Sequence, residues 1–158
     1  DQGEPLIDWE KASQIPWGVL LLFGGGICLA RAFVASGLSA QVGDALTAVA
    51  ALPVFAMMLL LALAVTFLTE ATSNTATTAL LMPVLAAVAL AVEIDPLWLM
   101  VPAAMSASCA FMLPVATAPN AVVFGSGELP IRRMVREGFA LNLIGSLLIA
   151  TVAWVLLT

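Results

Sequence analysis

The sequence lacks histidine and tyrosine entirely, and only two of its 158 residues are cysteine. These absences leave neither a metal cluster nor a disulfide framework as a basis for the fold. Cys28 and Cys109 fall in separate apolar runs, where a free cysteine behaves as a small buried hydrophobic side chain. The fold is therefore expected to depend on packing and hydrogen bonding.

Charged residues are also scarce, at 9% of the chain against roughly 25% in an ordinary soluble domain. Hydrophobic residues make up 63%. Most of the uncharged runs reach the roughly 17 to 25 residues that a membrane-spanning helix needs. These runs are 15–30, 45–69, 71–92, 96–127 and 138–158. The sequence therefore predicts an all-α polytopic membrane protein.

Charge and proline divide the chain into six predicted segments. Arg132, Arg133 and Arg136 cluster before the last apolar run, and the positive-inside rule places such a cluster in the cytoplasm. Because the chain starts with Asp1 and has no basic region ahead of an apolar core, no signal peptide is expected, and the chain is interpreted as part of a longer protein. The predicted segments are a cytoplasmic or interfacial segment at 1–14, a transmembrane helix at 15–36, a hairpin at 45–92 with its tip at 69–78, a discontinuous transmembrane helix at 96–127 broken at 114–119, a cytoplasmic link at 128–137 and a last transmembrane helix at 138–158.

The segment 96–127 is too long for a plain span. At about 1.5 Å per residue it would form a helix of about 48 Å, whereas the hydrocarbon core is about 30 Å thick. Pro114 and Pro119 bracket the expected break, and Thr117 lies near the start of the next helix. Broken backbone is tolerated at membrane depth only inside protein or beside a water-filled cavity, so a cavity is expected here.

A second polar interruption, TEATSNTATT, occupies 69–78 between two apolar limbs. Ser73 and Asn74 are both favourable N-cap residues for the limb that follows. The two limbs form either a re-entrant hairpin or two full crossings joined by a polar turn. The charge pattern is the same for both arrangements.

Two helix breaks provide free carbonyls from one half-helix and free amides from the next. Carbonyls suit a hard cation such as sodium, and amides at a helix N-terminus suit a carboxylate or sulfate oxygen. No Arg or Lys lies near either break, so an anion would be held by dipoles, amides and hydroxyls, with sodium ions as the counter-charge. The side chains that offer neutral oxygens and donors are Thr69, Ser73, Asn74, Thr75 and Thr117.

Some of these polar residues have alternative roles. Serine and threonine in membrane helices often bond back to the carbonyl one turn earlier. Glu70 is an ionisable group beside the tip, which indicates a functional site, unless it accepts amides from its own loop and holds the tip rigid. An enzyme with Ser73 as nucleophile is not expected, because there is no histidine and Glu70 is the one base nearby.

Two sequence stretches carry a resemblance to a known family. The motif Ser73-Asn74-Thr75 within TEATSNTATTALLMPV, followed by ATAPNAVVFGSG at 116–127, resembles the C-terminal half of the divalent anion/sodium symporter family. That family includes sodium-coupled dicarboxylate, citrate and sulfate transporters, and the similarity runs from about Trp17 to the end of the chain. Its members often have two adjacent prolines after the threonine, whereas this chain has Ala118 before Pro119.

The resemblance implies one partial inverted repeat of a transporter, with the 45–92 segment as a re-entrant hairpin. It implies substrate contacts from Ser73, Asn74, Thr75, Thr117 and Pro119. It implies a sodium site formed by Thr69, Ala71, Ser73, Asn74 and Ala116. Glu70 and Asn120 are expected to have structural roles at the site.

The resemblance also implies partners and a location. The expected partners are a divalent anion, sodium ions, membrane lipid, the missing N-terminal repeat and a second copy in a homodimer, with no nucleic acid. The expected location is the cell (inner) membrane. The function expected is sodium-coupled uptake of succinate or another C4-dicarboxylate; the alternatives are citrate or sulfate as substrate, or a passive anion channel. The fragment by itself is not expected to transport, because it contains half a site.

Overall fold

A computed structural model describes residues 8–15, 17–38, 41 and 52–157, so the predicted segments 1–14, 15–36, 45–92 and 138–158 each lie partly outside the described residues. Most of the described residues are α-helical and none is in a strand, as an all-α protein requires. Two helices among them are long and apolar enough to cross a membrane, α4 and α7. The helices are α1 (Trp9–Ser13), α2 (Trp17–Ala35), α3 (Val54–Thr69), α4 (Asn74–Ala91), α5 (Leu97–Ser106), α6 (Ala118–Gly125) and α7 (Ile131–Leu157).

Helices α3 and α4 form a hairpin whose non-helical tip is residues 70–73. Helix α3 packs antiparallel to α7. Three pairs define this packing, from the start of α3 to the tip: Met58 with Ala150, Thr66 with Ser146, and Glu70 with Asn142. The tip therefore lies beside the first half of α7.

Both ends of the hairpin lie beside the last turns of α7. Met58, near the start of α3, packs in a cluster with Ala153. After α4, the chain turns into α5, where the Trp98 indole donates to the carbonyl of Leu157 at 3.4 Å. The chain thus enters and leaves the hairpin at one end of α7.

Helix α5 packs against both limbs of the hairpin. Ala103 is fully buried with Val65 of α3, and Leu99 is buried with Val88 and Ala89 of α4. Alanines at such positions allow helix backbones to approach closely. These contacts hold α3, α4, α5 and α7 as one packed group around the tip.

The helix break is longer than predicted. Residues 107–117 are non-helical, whereas 114–119 was the predicted break. The physical reason is that the amides of Phe111, Met112 and Leu113 donate to the Glu70 carboxylate and are not used in helix bonds.

The last helix also starts earlier than predicted. Helix α7 begins at Ile131, so most of the predicted link at 128–137 is helical and the three arginines lie on its first turns. Arginine has a favourable helix propensity. A helix of 27 residues is about 40 Å long, so its first turns can extend beyond a hydrocarbon core of about 30 Å into water.

Candidate functional site

An open cavity of about 440 Å³ lies where the hairpin tip meets the broken helix. Two short stretches of chain line it, 70–75 from the tip and 115–118 from the break. The two predicted polar interruptions therefore meet at one cavity. None of these lining residues has a positively charged side chain.

Two helices begin at this cavity. The Ser73 hydroxyl caps α4 by accepting from the amide of Ala76 at 3.4 Å, and the Thr117 hydroxyl caps α6 by accepting from the amide of Asn120 at 3.3 Å. Each cap satisfies one amide, and other amides of the first turn lack an intrahelical partner. Because each helix start carries a partial positive charge of roughly half a unit, the cavity is suited to an anion.

Glu70 connects the tip to two other elements. Its Oε1 atom accepts from the amides of Phe111 at 2.7 Å and Met112 at 2.8 Å and from Asn142 Nδ2 at 2.7 Å, and its Oε2 atom accepts from the amide of Leu113 at 3.0 Å. Glu70 is 5% exposed. Four donors therefore surround this carboxylate, and three of them are amides of the helix break, not amides of its own loop.

Thr69 lies behind the tip and is fully buried. Its hydroxyl is 2.8 Å from Asn74 Oδ1 and 2.8 Å from the carbonyl oxygen of Ala107. One hydroxyl proton can serve one of these two acceptors. A cluster of neutral side-chain and carbonyl oxygens is the donor chemistry that a hard cation such as sodium accepts.

The predicted site residues divide into three groups in the structure. Six of them line the cavity: Ala71, Ser73, Asn74, Thr75, Ala116 and Thr117. Glu70 lines it as well, with its carboxylate bonded to the break. Thr69, Pro119 and Asn120 are not among the lining residues.

Asn120 closes the loop of the broken helix. Its Nδ2 atom donates to the carbonyls of Ala110 at 2.8 Å and Leu113 at 3.0 Å. Pro119, beside it, is an exposed residue in the first turn of α6. Asn120 thus holds the shape of the break by bonding to two of its carbonyls, and it is not itself among the cavity-lining residues.

Several residues that the structure brings to the site were not predicted from the sequence as site residues. Thr72, Val115 and Ala118 line the cavity, and Asn142 completes the set of donors to Glu70. Asn142 belongs to a stripe of small and polar residues on α7 that faces the helix break at one end and the hairpin along the rest. The stripe is Gly138, Asn142, Ser146 and Ala150, all buried. Their four-residue spacing within an apolar helix is a signal that could have identified this face.

A helical membrane protein in which broken helices direct their N-termini into one cavity has the organisation of a secondary transporter. The chain belongs to the family described as the sodium:sulfate symporter transmembrane region, whose model matches residues 4–158. This confirms the predicted family, and the family's description is that of a symporter and not of an enzyme.

Curated relatives agree with this family. The chain is 48% identical over 151 residues, 96% of its length, to the sodium-dependent dicarboxylate transporter SdcS of Staphylococcus saprophyticus. It is 46% identical over 149 residues, 94% of its length, to the sodium-dependent dicarboxylate transporter SdcS of Staphylococcus aureus. The chain spans 29% of the length of each of these relatives.

Proposed function

We propose that the complete protein, of which this chain is a part, couples sodium entry to the uptake of a divalent anion. The observation that carries the proposal is that α4 and α6 both begin at one cavity that has no cationic side chain among its described lining residues. A substrate anion bound there needs an additional positive charge, which a co-transported sodium ion supplies. The relatives named sodium-dependent dicarboxylate transporters support a C4-dicarboxylate such as succinate.

One carboxylate of the substrate binds between the two helix starts in this proposal. Ser73, Asn74 and Thr75 come from α4 and its cap, and Thr117 caps α6. Their hydroxyls, the Asn74 amide and the free backbone amides donate hydrogen bonds to carboxylate oxygens. Pro119, a residue that the resemblance implies as a substrate contact, has no amide proton and contributes through the fixed shape of the first turn.

Sodium binds on the inner side of the same cavity. We assign its ligands to oxygens of Thr69, Ala71, Ser73, Asn74 and Ala116. The support is that four of the five line the cavity and that the fifth, Thr69, places its hydroxyl against Asn74. Asn74 then contacts both the cation and the anion region, which would make anion binding depend on sodium.

The hairpin is re-entrant in the membrane under this proposal. Its two ends lie at the same end of α7, and its tip reaches Asn142, about 16 Å along the helix from Ile131 at about 1.5 Å per residue. The remaining length of the relatives leaves room for an inverted N-terminal repeat with a second half-site. The resemblance further implies a homodimer in the cell membrane.

Transport by the full-length protein tests the proposal. Labelled succinate uptake into proteoliposomes should require an inward sodium gradient. Asn74→Ala and Thr117→Ala should each reduce uptake at least about tenfold, because each removes a hydrogen-bonding group from the binding cavity. Thr151→Ala is the matched control, since the Thr151 hydroxyl is exposed on α7 and bonds back to Leu147.

The outcomes separate the alternative functions. Equal succinate uptake with and without sodium would show a passive anion pore and contradict coupled transport. If uptake of sulfate or citrate depends on sodium and succinate is not taken up, the proposed sodium coupling stands and the proposed substrate is wrong. The family description, which names sulfate, makes sulfate the first of these to measure.

A further inference from the structure

Val115 has an unusual position in the cavity wall. It lies in a turn closed by the Ala116 amide, which donates to the Leu113 carbonyl at 3.1 Å. At 83% exposure, Val115 is more exposed than any other large hydrophobic residue in the described chain. The turn therefore holds a branched apolar side chain away from the core and beside the cavity.

The other cavity-lining side chains differ from Val115 in size or polarity. They are the alanine methyls at 71, 116 and 118, the hydroxyls and amide at 72–75 and 117, and the Glu70 carboxylate, which is bonded to the break. Val115 thus provides the largest apolar surface among the described lining residues. Hydrogen-bonding groups at the helix starts recognise oxygen atoms, which dicarboxylates and sulfate both have, so they discriminate weakly between the two.

We infer that Val115 is a specificity-determining residue that favours an anion with a hydrocarbon spacer over sulfate. This inference rests on the proposed function. Succinate, the C4-dicarboxylate used as probe here, presents two methylene groups between its carboxylates, and contact with Val115 removes this apolar surface from water. Sulfate has no apolar surface, so the same contact desolvates its oxygens without a hydrogen bond in return.

The substitution Val115→Thr tests the inference in the full-length protein, because threonine has nearly the same shape but replaces one methyl with a hydroxyl. Sodium-driven uptake of labelled succinate is competed with unlabelled succinate and with sulfate. We expect Val115→Thr to weaken inhibition by succinate about fourfold, the effect of losing about one methylene contact, and to strengthen inhibition by sulfate. Val122→Thr is the matched control, since Val122 is 75% exposed on α6 and does not line the cavity.

An unchanged ratio of succinate to sulfate inhibition in Val115→Thr, with sodium-driven uptake intact, overturns the inference and leaves the proposed function standing. If Val115 instead packs against the rest of the protein, both inhibition constants change together and the ratio stays constant, which also overturns it. If the unsubstituted protein takes up no succinate, or takes it up equally without sodium, the proposed function fails and the inference fails with it.

Discussion

The Glu70 carboxylate offers the sharpest test of how the two polar interruptions are held together. In Glu70→Gln, the best placement of the amide keeps Oε1 toward Phe111, Met112 and Asn142 and directs an NH₂ group at the amide of Leu113. One hydrogen bond becomes a contact between two donors, and the other three lose their charged acceptor. Hydrogen bonds to charged groups contribute about 1.5–3 kcal/mol each, so the total loss should be about 3–5 kcal/mol.

Thermal unfolding of the full-length protein in detergent, followed by the helical circular dichroism signal, measures this loss. Glu128→Gln is the control for removal of one negative charge, because Glu128 is exposed and should change stability by less than about 0.5 kcal/mol. Asn142→Ala should lower the free energy of unfolding by less in the Glu70→Gln background than in the unsubstituted protein, since the acceptor of the Asn142 hydrogen bond is already weakened. An unfolding midpoint for Glu70→Gln equal to that of Glu128→Gln would refute the reasoning.

Two further predictions concern the packing of α7 and α5. Gly138→Ala should destabilise the protein by about 1–3 kcal/mol, because an added Cβ would collide with the backbone carbonyl of Phe111. The control in the same unfolding assay is Gly145→Ala, which should be tolerated because the atom nearest to its added Cβ lies at 3.9 Å. Ser106→Ala should leave the free energy of unfolding unchanged or raise it, because the buried Ser106 hydroxyl has no partner among the described residues. Ser146→Ala should lower the free energy of unfolding by about 1 kcal/mol, because it removes the hydrogen bond to Thr66 of α3. A larger loss from Ser106→Ala than from Ser146→Ala would contradict this account.

Local sequence signals predicted much of the helix arrangement. Ser73 was identified as a candidate helix cap and does cap α4, and Thr117 was placed near the second helix start and does cap α6. Capping depends on residues within one turn, so it can be read from a short stretch of sequence. The 107–117 break was predicted too short, because its first half is held open by a carboxylate some 41 to 43 positions earlier in the chain.

The sequence predicted that a cavity lies beside the helix break, but it did not identify all of the residues that line it. The polar motifs at 69–78 and 114–119 indicated two breaks, and the family resemblance implied which residues contact ligands. Val115 and Ala118 fall within the predicted break, but nothing indicated that they line the cavity, because an apolar residue beside a break is indistinguishable by type from one in the core. Asn142 gave a weak signal, since an asparagine in an apolar helix needs a partner, but its partner is 72 positions away.

The sequence by itself determined that this chain is a helical membrane protein with two polar interruptions, because hydrophobic run length, proline position and N-cap chemistry act over one or a few turns. The tertiary structure decided that the two interruptions meet at one cavity and that the Glu70 carboxylate bonds to the break and to Asn142. That outcome depends on α5 packing against both limbs of the hairpin. It also depends on Gly138 of α7, which lets the backbone of the break pack closely against that helix. Contacts of this kind join distant parts of the chain, and no local pattern specifies them.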